Sequence, residues 1–161
     1  MGQTIAAWRT KVRELIRDAG GIQDLTDAQI DAVGIKPAIV KYTIDRPRVT
    51  YVQAAGAGSA YLSLPAGWIA GFSRVDSIEY PAGSNPPDIL DAQSWRMVRS
   101  VADVAVEQIL LNRAAAVGQN VRIGFTTRWP VPTADAAVDL LDEVAFEAVA
   151  ALAASKCILA L

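Results

Sequence analysis

The spacing of apolar residues changes along this chain, and that change does most to limit what it can fold into. Toward both ends apolar side chains recur every three or four positions, whereas from Arg48 to Gln53 they alternate, Val49 and Tyr51 against Thr50 and Val52. The first period belongs to a helix with one buried face and the second to a half-buried strand. The expected class is therefore α+β: N-terminal helices and a long C-terminal helix packed together, with a small antiparallel β-sheet or sandwich inserted between them.

From Gln3 to Ala19 the residues Ile5, Trp8, Val12, Leu15 and Ile16 mark one helix face, which Gly20 and Gly21 end. Thr26 with Gln29 three positions on is a capping-box pattern, so a second helix is expected to start there and run at least to Val33. Gly34 and Pro37 are expected to interrupt it. Pro37 suits the first turn of a further segment, Lys36 to Ile44, where its missing N–H has no partner to lose. Pro47 closes the helical region.

After the strand at Arg48 to Gln53, the uncharged stretch Ala54 to Ser59 with Gly56 and Gly58 reads as a hairpin loop into a second strand, Ala60 to Leu64. Further strands are expected at Phe72 to Tyr80, Trp95 to Arg99, Val104 to Leu111 and Val121 to Thr127, with turns at Pro81 to Pro87. The run Val104 to Leu111 is too short to reveal its period and is taken as a strand from context.

Thr133 and Asp135 open a long helix, expected from about Ala134 to near the end. Its apolar stripe reads Val138, Leu141, Ala145, Ala148 and Leu152, opposite Asp139, Asp142, Glu143 and Glu147. At 161 residues the chain is expected to form one domain around one core, 1–161, helical over 1–46, β-rich over 47–130 and helical again over 133–161.

Much chemistry is excluded by residue type. The chain has no histidine, which removes Ser-His-Asp and Cys-His catalysis and the usual zinc sites. No phosphate-loop motif occurs, and Gly56-Ala57-Gly58 lacks the strand-turn-helix setting of a dinucleotide site. The acidic residues of the last helix read as a solvated or salt-bridged face rather than metal ligands, and Asp88 with Asp91 as exposed loop residues rather than a glycosidase pair. No enzyme activity and no cofactor are expected.

A net charge of −2 offers no general attraction to nucleic acid. Cys157, the single cysteine, allows no intrachain disulfide and suits a reduced cytoplasm. The apolar run Ala148 to Ala154 is too short to cross a bilayer, so no membrane partner is expected. Trp8 reads as core, Trp68 as a seal on the end of the sheet, and Trp129 as a staple between the last strand and the long helix.

Two features read as candidate interfaces. Arg9, Arg13 and Arg17 form a basic stripe at i, i+4 and i+8, suited to pairing with the acidic face of the last helix, to a protein partner or to DNA. Ile158, Leu159 and Leu161 end the chain on hydrophobes left over once the helix stripe is filled.

Taken in order, the elements resemble the head-tail connector (adaptor, or head-completion) proteins of tailed bacteriophages. The resemblance rests on Asp24 to Ile30 at a helix start, Asp45-Arg46-Pro47-Arg48 at the exit into strands and Leu64-Pro65 before Trp68. Val75 to Pro81 (V-D-S-I-E-Y-P), Val121 to Thr126 (V-R-I-G-F-T) and an alanine-rich terminal helix complete it. It implies a structural virion protein of the neck that forms a homo-oligomeric ring, commonly of twelve subunits. That ring would lie beneath the portal protein, join the capsid to the neck or tail-terminator protein, and touch passing DNA. A tail-terminator or other neck ring subunit is the alternative; a small hydrolase or sugar-binding module is a further one.

Overall fold

A computed structural model of the protein describes residues 3–18, 25–99, 107–131 and 141–160. The chain divides into two compact units, one of Met1–Arg48 with Arg128–Leu161 and one of Val49–Thr127. The fold is α+β, with helices in the first unit and two three-stranded sheets in the second. Buried apolar residues gather in two clusters, one in each unit, where length alone suggested a single core.

Helix α1 (Ile5–Asp18) buries Ile5, Trp8, Val12 and Ile16, as its three-and-four spacing predicts. The capping box also forms: the Thr26 hydroxyl accepts the Gln29 N–H at 3.3 Å, and the Gln29 side-chain oxygen accepts the Thr26 N–H at 2.9 Å. Beyond it the chain stays helical from Asp27 to Asp45, through α2 (Asp27–Gln29), a π-helical segment (Ile30–Ile35) and α3 (Lys36–Asp45). A further segment does begin at Lys36 with Pro37 in its first turn, as expected, but the chain does not leave the helical conformation at Gly34. A proline ring clashes with the carbonyl four residues back, and its nitrogen donates nothing. Just ahead of Pro37 the backbone bonds instead reach five residues back, Lys36 N–H to the Asp31 carbonyl, and the wider turn makes room for the ring.

Gly34 has a second use. A Cβ at this position would stand 2.6 Å from the Cys157 sulfur and 3.0 Å from the Ala153 carbonyl oxygen. Its bare backbone is what lets the last helix approach the π segment.

That last helix, α4 (Glu143–Leu159), starts later than expected. Residues 132–140 lie outside the described residues, but Leu141 and Asp142 are not helical, and the Asp142 carboxylate caps the helix by accepting the Ala145 N–H at 2.8 Å. The apolar stripe shifts with the start. Phe146, Val149, Ala150, Ala153, Ala154 and Cys157 are buried, whereas Ala148 is exposed and Leu152 only half-buried. Leu141, just before the cap, and Phe146, four residues into the helix, are both buried in the same cluster at the positions of a hydrophobic staple. Sequence periodicity counted Leu141 as part of the helix and so set the wrong phase.

Helices α1 and α4 pack together as expected. The Trp8 ring meets Phe146 edge-on at 4.5 Å, and Lys11 pairs with Glu147 at 3.1 Å.

In the second unit β1 (Arg48–Ala55), β6 (Asn120–Thr127) and β3 (Val75–Glu79) form one sheet in the order β1-β6-β3. The other sheet has β2 (Ser59–Ser63), β5 (Glu107–Ala115) and β4 (Trp95–Arg99) in the order β2-β5-β4. The strand expected over Val104 to Leu111 thus lies later, its first residues falling outside the described ones. Phe72 belongs to a turn, its N–H bonded to the Ile69 carbonyl, and not to β3.

The hairpin expected at Ala54 to Ser59 is a corner instead. It passes the chain from one sheet to the other, and the β5–β6 turn does the same in reverse. The two corners bond to each other: Gly56 N–H donates to the Gln119 carbonyl and Gly58 N–H to the Ala115 carbonyl, each at 2.8 Å. A Cβ on Gly56 would lie 2.2 Å from the Ala116 carbonyl oxygen, so only glycine permits this approach. Leu62, Ile109 and Leu111 from one sheet and Ile78, Val121 and Ile123 from the other fill the shared core.

These contacts set two expectations for stability. Phe146→Ala removes the ring that faces Trp8 and should cost about 3–5 kcal/mol in denaturant unfolding, well above the cost of Leu152→Ala at its half-buried site. Gly34→Ala should lower the melting temperature by overpacking the α4 crossing, and adding Cys157→Ala, which clears the nearer contact, should recover part of the loss.

Candidate assembly surfaces

The basic stripe on α1 is divided between two settings. The Arg9 guanidinium grips Asp31 with two hydrogen bonds, of 3.0 and 2.7 Å, and also meets Asp27 at 3.3 Å. Arg13 pairs with the same Asp27 and donates to the Leu25 carbonyl at 3.2 Å. Among the described residues, the acidic partners of Arg9 and Arg13 are those that begin α2 and the π segment. Arg17 is exposed, and no described group pairs with it.

Asp27 and Asp31 thus neutralise the α1 stripe at Arg9 and Arg13. The hydrogen bond from Arg13 holds the Asp27 carboxyl below its ordinary value; desolvation opposes it, and the charges of Arg13 and then Arg9 add to the lowering.

At the other end of the unit, α4 turns a nearly uncharged face outward. Val144, Ala148, Ala151, Ser155, Ile158 and Leu159 follow helical spacing on the side away from the core, and all are exposed. Val144 is 81% exposed, Ile158 39% and Leu159 86%. Leu161, the third hydrophobe expected at this end, lies outside the described residues. Beside α4, a small depression of about 90 Å³ is lined by Leu25, Gln29, Val33, Cys157 and Ala160. Burial pushes the Cys157 thiol up, so it stays protonated at neutral pH.

Of the acidic residues weighed as ligands, three have structural partners, and Asp139 lies outside the described residues. Asp142 caps α4, Glu147 pairs with Lys11, and Asp88 meets Arg113 at 3.4 Å. Among the described residues no three of His, Cys, Asp and Glu come close enough together to hold a metal ion. No described helix is long and apolar enough to cross a membrane.

Sequence reasoning missed a polar network around Glu79 and Tyr80. Glu79 is only 4% exposed, accepts the Gly83 N–H at 2.6 Å and pairs with Arg122 at 3.1 Å. The Tyr80 hydroxyl accepts the Ala116 N–H at 2.7 Å, while Arg113 lies 4.8 Å from the ring centre and donates to the Tyr80 carbonyl at 3.1 Å. These residues tie the turn after β3 to the β5–β6 corner. The only sequence signal was a glutamate at the apolar end of a strand pattern, where a carboxylate needs a partner.

Two tryptophans sit as follows. Trp68 lies over Phe125 of β6, ring centres 6.0 Å apart, in keeping with a seal on that sheet. Trp129 binds α3 rather than the last helix: its ring N–H donates to the Arg46 carbonyl at 2.7 Å, and its ring lies 6.2 Å from Tyr42.

No family model and no curated protein matches the chain. A chain in a solved structure described as the neck of an empty GTA particle computed with C6 symmetry is 20% identical, with a TM-score of 0.37, over 96% of this chain and 77% of that one.

The Arg13–Asp27 pair makes a pH-dependent link between α1 and α2. A depressed carboxylate pKa adds stability above its unfolded value and loses it as pH falls through the folded one. Acid titration should therefore loosen this link as Asp27 protonates, seen as a shift of its carboxyl NMR signal below that of a free aspartate. In Arg13→Gln the Asp27 midpoint should move up toward the ordinary range.

Proposed function

We propose that this chain is a structural subunit of a tailed-bacteriophage neck, a head-tail connector that forms a ring beneath the portal and joins capsid to tail. One observation carries the reading: the sequence resemblance to connector proteins runs through nearly the whole chain, in the order in which the elements occur. The structure supplies the physical conditions such a subunit needs. The capping box at Thr26, the exit at Asp45 to Arg48, the Glu79–Tyr80 network and the terminal helix each fall on a segment that carries the resemblance.

A ring subunit must present surface to its neighbours, and the outward face of α4 from Val144 to Leu159 fits that use. Exposed apolar residues in a contiguous row are costly in water and commonly mark an interface. Ile158 and Leu159 are the proposed contacts to a neighbouring copy or to the portal, together with Leu161 from the sequence. Arg17 is the proposed polar contact from the α1 stripe, toward a protein partner or passing DNA, while Arg9 and Arg13 act by holding α2 in place. The ring is proposed to be dodecameric, located in the virion neck after synthesis in the host cytoplasm, and to perform no catalysis. Helical segments from Ile5 to Asp45 ahead of two small sheets favour a connector over a tail terminator, for which a larger central sheet is expected.

Deleting Ile158–Leu161 tests the reading. The shortened chain should melt within a few degrees of the full one, because Ile158 and Leu159 contribute little to the core, yet it should fail to bind portal rings or enter particles. Normal incorporation of the shortened chain, or collapse of its fold, would refute the assignment.

A further inference from the structure

The four edge strands of the β-unit are protected unequally. A bare edge presents unpaired N–H and C=O groups that will pair with another strand, and proteins usually blunt it with charge, bulges, short length or cover. Edge strand β3 is covered by the chain itself: the Tyr80 N–H donates to the Asp88 carbonyl at 2.9 Å, and the Leu90 N–H to the Ile78 carbonyl at 2.8 Å. Edge strand β4 carries exposed Arg96 and Arg99. Edge strand β2 has five residues and a register irregularity between Ser59 and Tyr61, and Pro65 follows shortly after it.

Strand β1 is protected only at its start, by Pro47 and Arg48, and among the described residues no segment covers Val49 to Ala55. It is eight residues long, and from Val49 through Ser73 the sequence holds no charged residue. Val49 and Tyr51 are 39% and 59% exposed. On its inner side β1 borders an open cleft of about 320 Å³, where Val52, Ala54, Leu62 and Ile123 bring the apolar core to the surface.

We propose that β1 is a pairing edge for a second copy of this chain, with the two β1 strands antiparallel about a two-fold axis. Charge selects this occupant among the edges the chain can offer. The arginines of β4 would find no acid along β1, β3 is already covered, and β2 is short and irregular. A second β1 meets the first with no like charges opposed. Centred on Val52, Tyr51 faces Gln53, Thr50 faces Ala54 and Val49 faces Ala55, and each pair lies on one face of the sheet. Such self-complementarity is what a two-fold contact requires. The pairing would join two three-stranded sheets into one of six, ordered β3-β6-β1-β1-β6-β3, a common size. The contact is separate from the α4 surface and does not depend on the connector reading.

Sedimentation of the purified full chain over a wide concentration range tests this. The unaltered chain should form dimers, and the pair of exposed substitutions Gln53→Lys and Ala55→Lys should weaken them at least about tenfold while leaving the circular-dichroism melt unchanged. Mixing that variant with one carrying Gln53→Glu and Ala55→Glu should restore a mixed dimer, a result that misfolding cannot produce. The chain lacking Ile158–Leu161 should dimerise like the full one, which separates this contact from that of α4. A chain that stays monomeric, a dimer indifferent to the lysines, or a dimer lost with Ile158–Leu161 would each overturn the proposal.

Discussion

The helical unit depends on one close crossing. Its helical segments before β1 and α4 come from opposite ends of the sequence, and they can share a core only if α4 comes near enough to the π segment to close it. Gly34 makes that possible, because any side chain there would occupy the space of the Cys157 sulfur and the Ala153 carbonyl. The small residues of α4, Ala150, Ala153 and Ala154, complete the same condition from the other side. Once the crossing forms, Trp8 and Phe146 meet edge-on and supply the large buried surface that small residues cannot. The alanine content of α4 is thus a requirement of helix spacing.

The β-unit solves a different problem. Each of its sheets has only three strands, too few to be stable without a second layer. Two corners carry the chain between the layers, and the hydrogen bonds of Gly56 and Gly58 hold those corners together. Glu79 and Tyr80 extend the same fastening to the turn after β3, at the cost of burying a carboxylate that only Arg122 and a backbone N–H can satisfy. Polar groups here fix the geometry of the sandwich, while Ile78, Ile109, Leu111 and Ile123 supply its apolar burial.

The described polar side chains bond chiefly to one another and to backbone, and they form caps, ion pairs and corner ties. The surfaces that remain open are of another kind. The outward face of α4 is almost free of charge and β1 is an edge without charge from Val49 to Ala55, and both suit contact with protein. One presents side chains and the other presents backbone. Two such surfaces of different chemistry on one subunit can take different partners without competing for residues.

Sequence alone determined the classes of element and their order, because hydrophobic period and capping chemistry are local properties. The α1 face, the Thr26 capping box and the strand at β1 follow from residues within a few positions of one another. Missing histidine likewise limited the chemistry without any structure. What only the tertiary structure decided were relations between distant segments. Gly34 read as a helix breaker because its use lies in a sulfur more than a hundred positions away, and Pro37 because a π turn leaves no local mark. Leu141 carried the helical spacing but sits before the cap, so the phase of α4 could not be set from spacing. Ala54 to Ser59 has the composition of a hairpin, yet whether a glycine-rich turn pairs its flanking strands or sends them to separate sheets depends on strands β5 and β6, whose pairing no local pattern encodes.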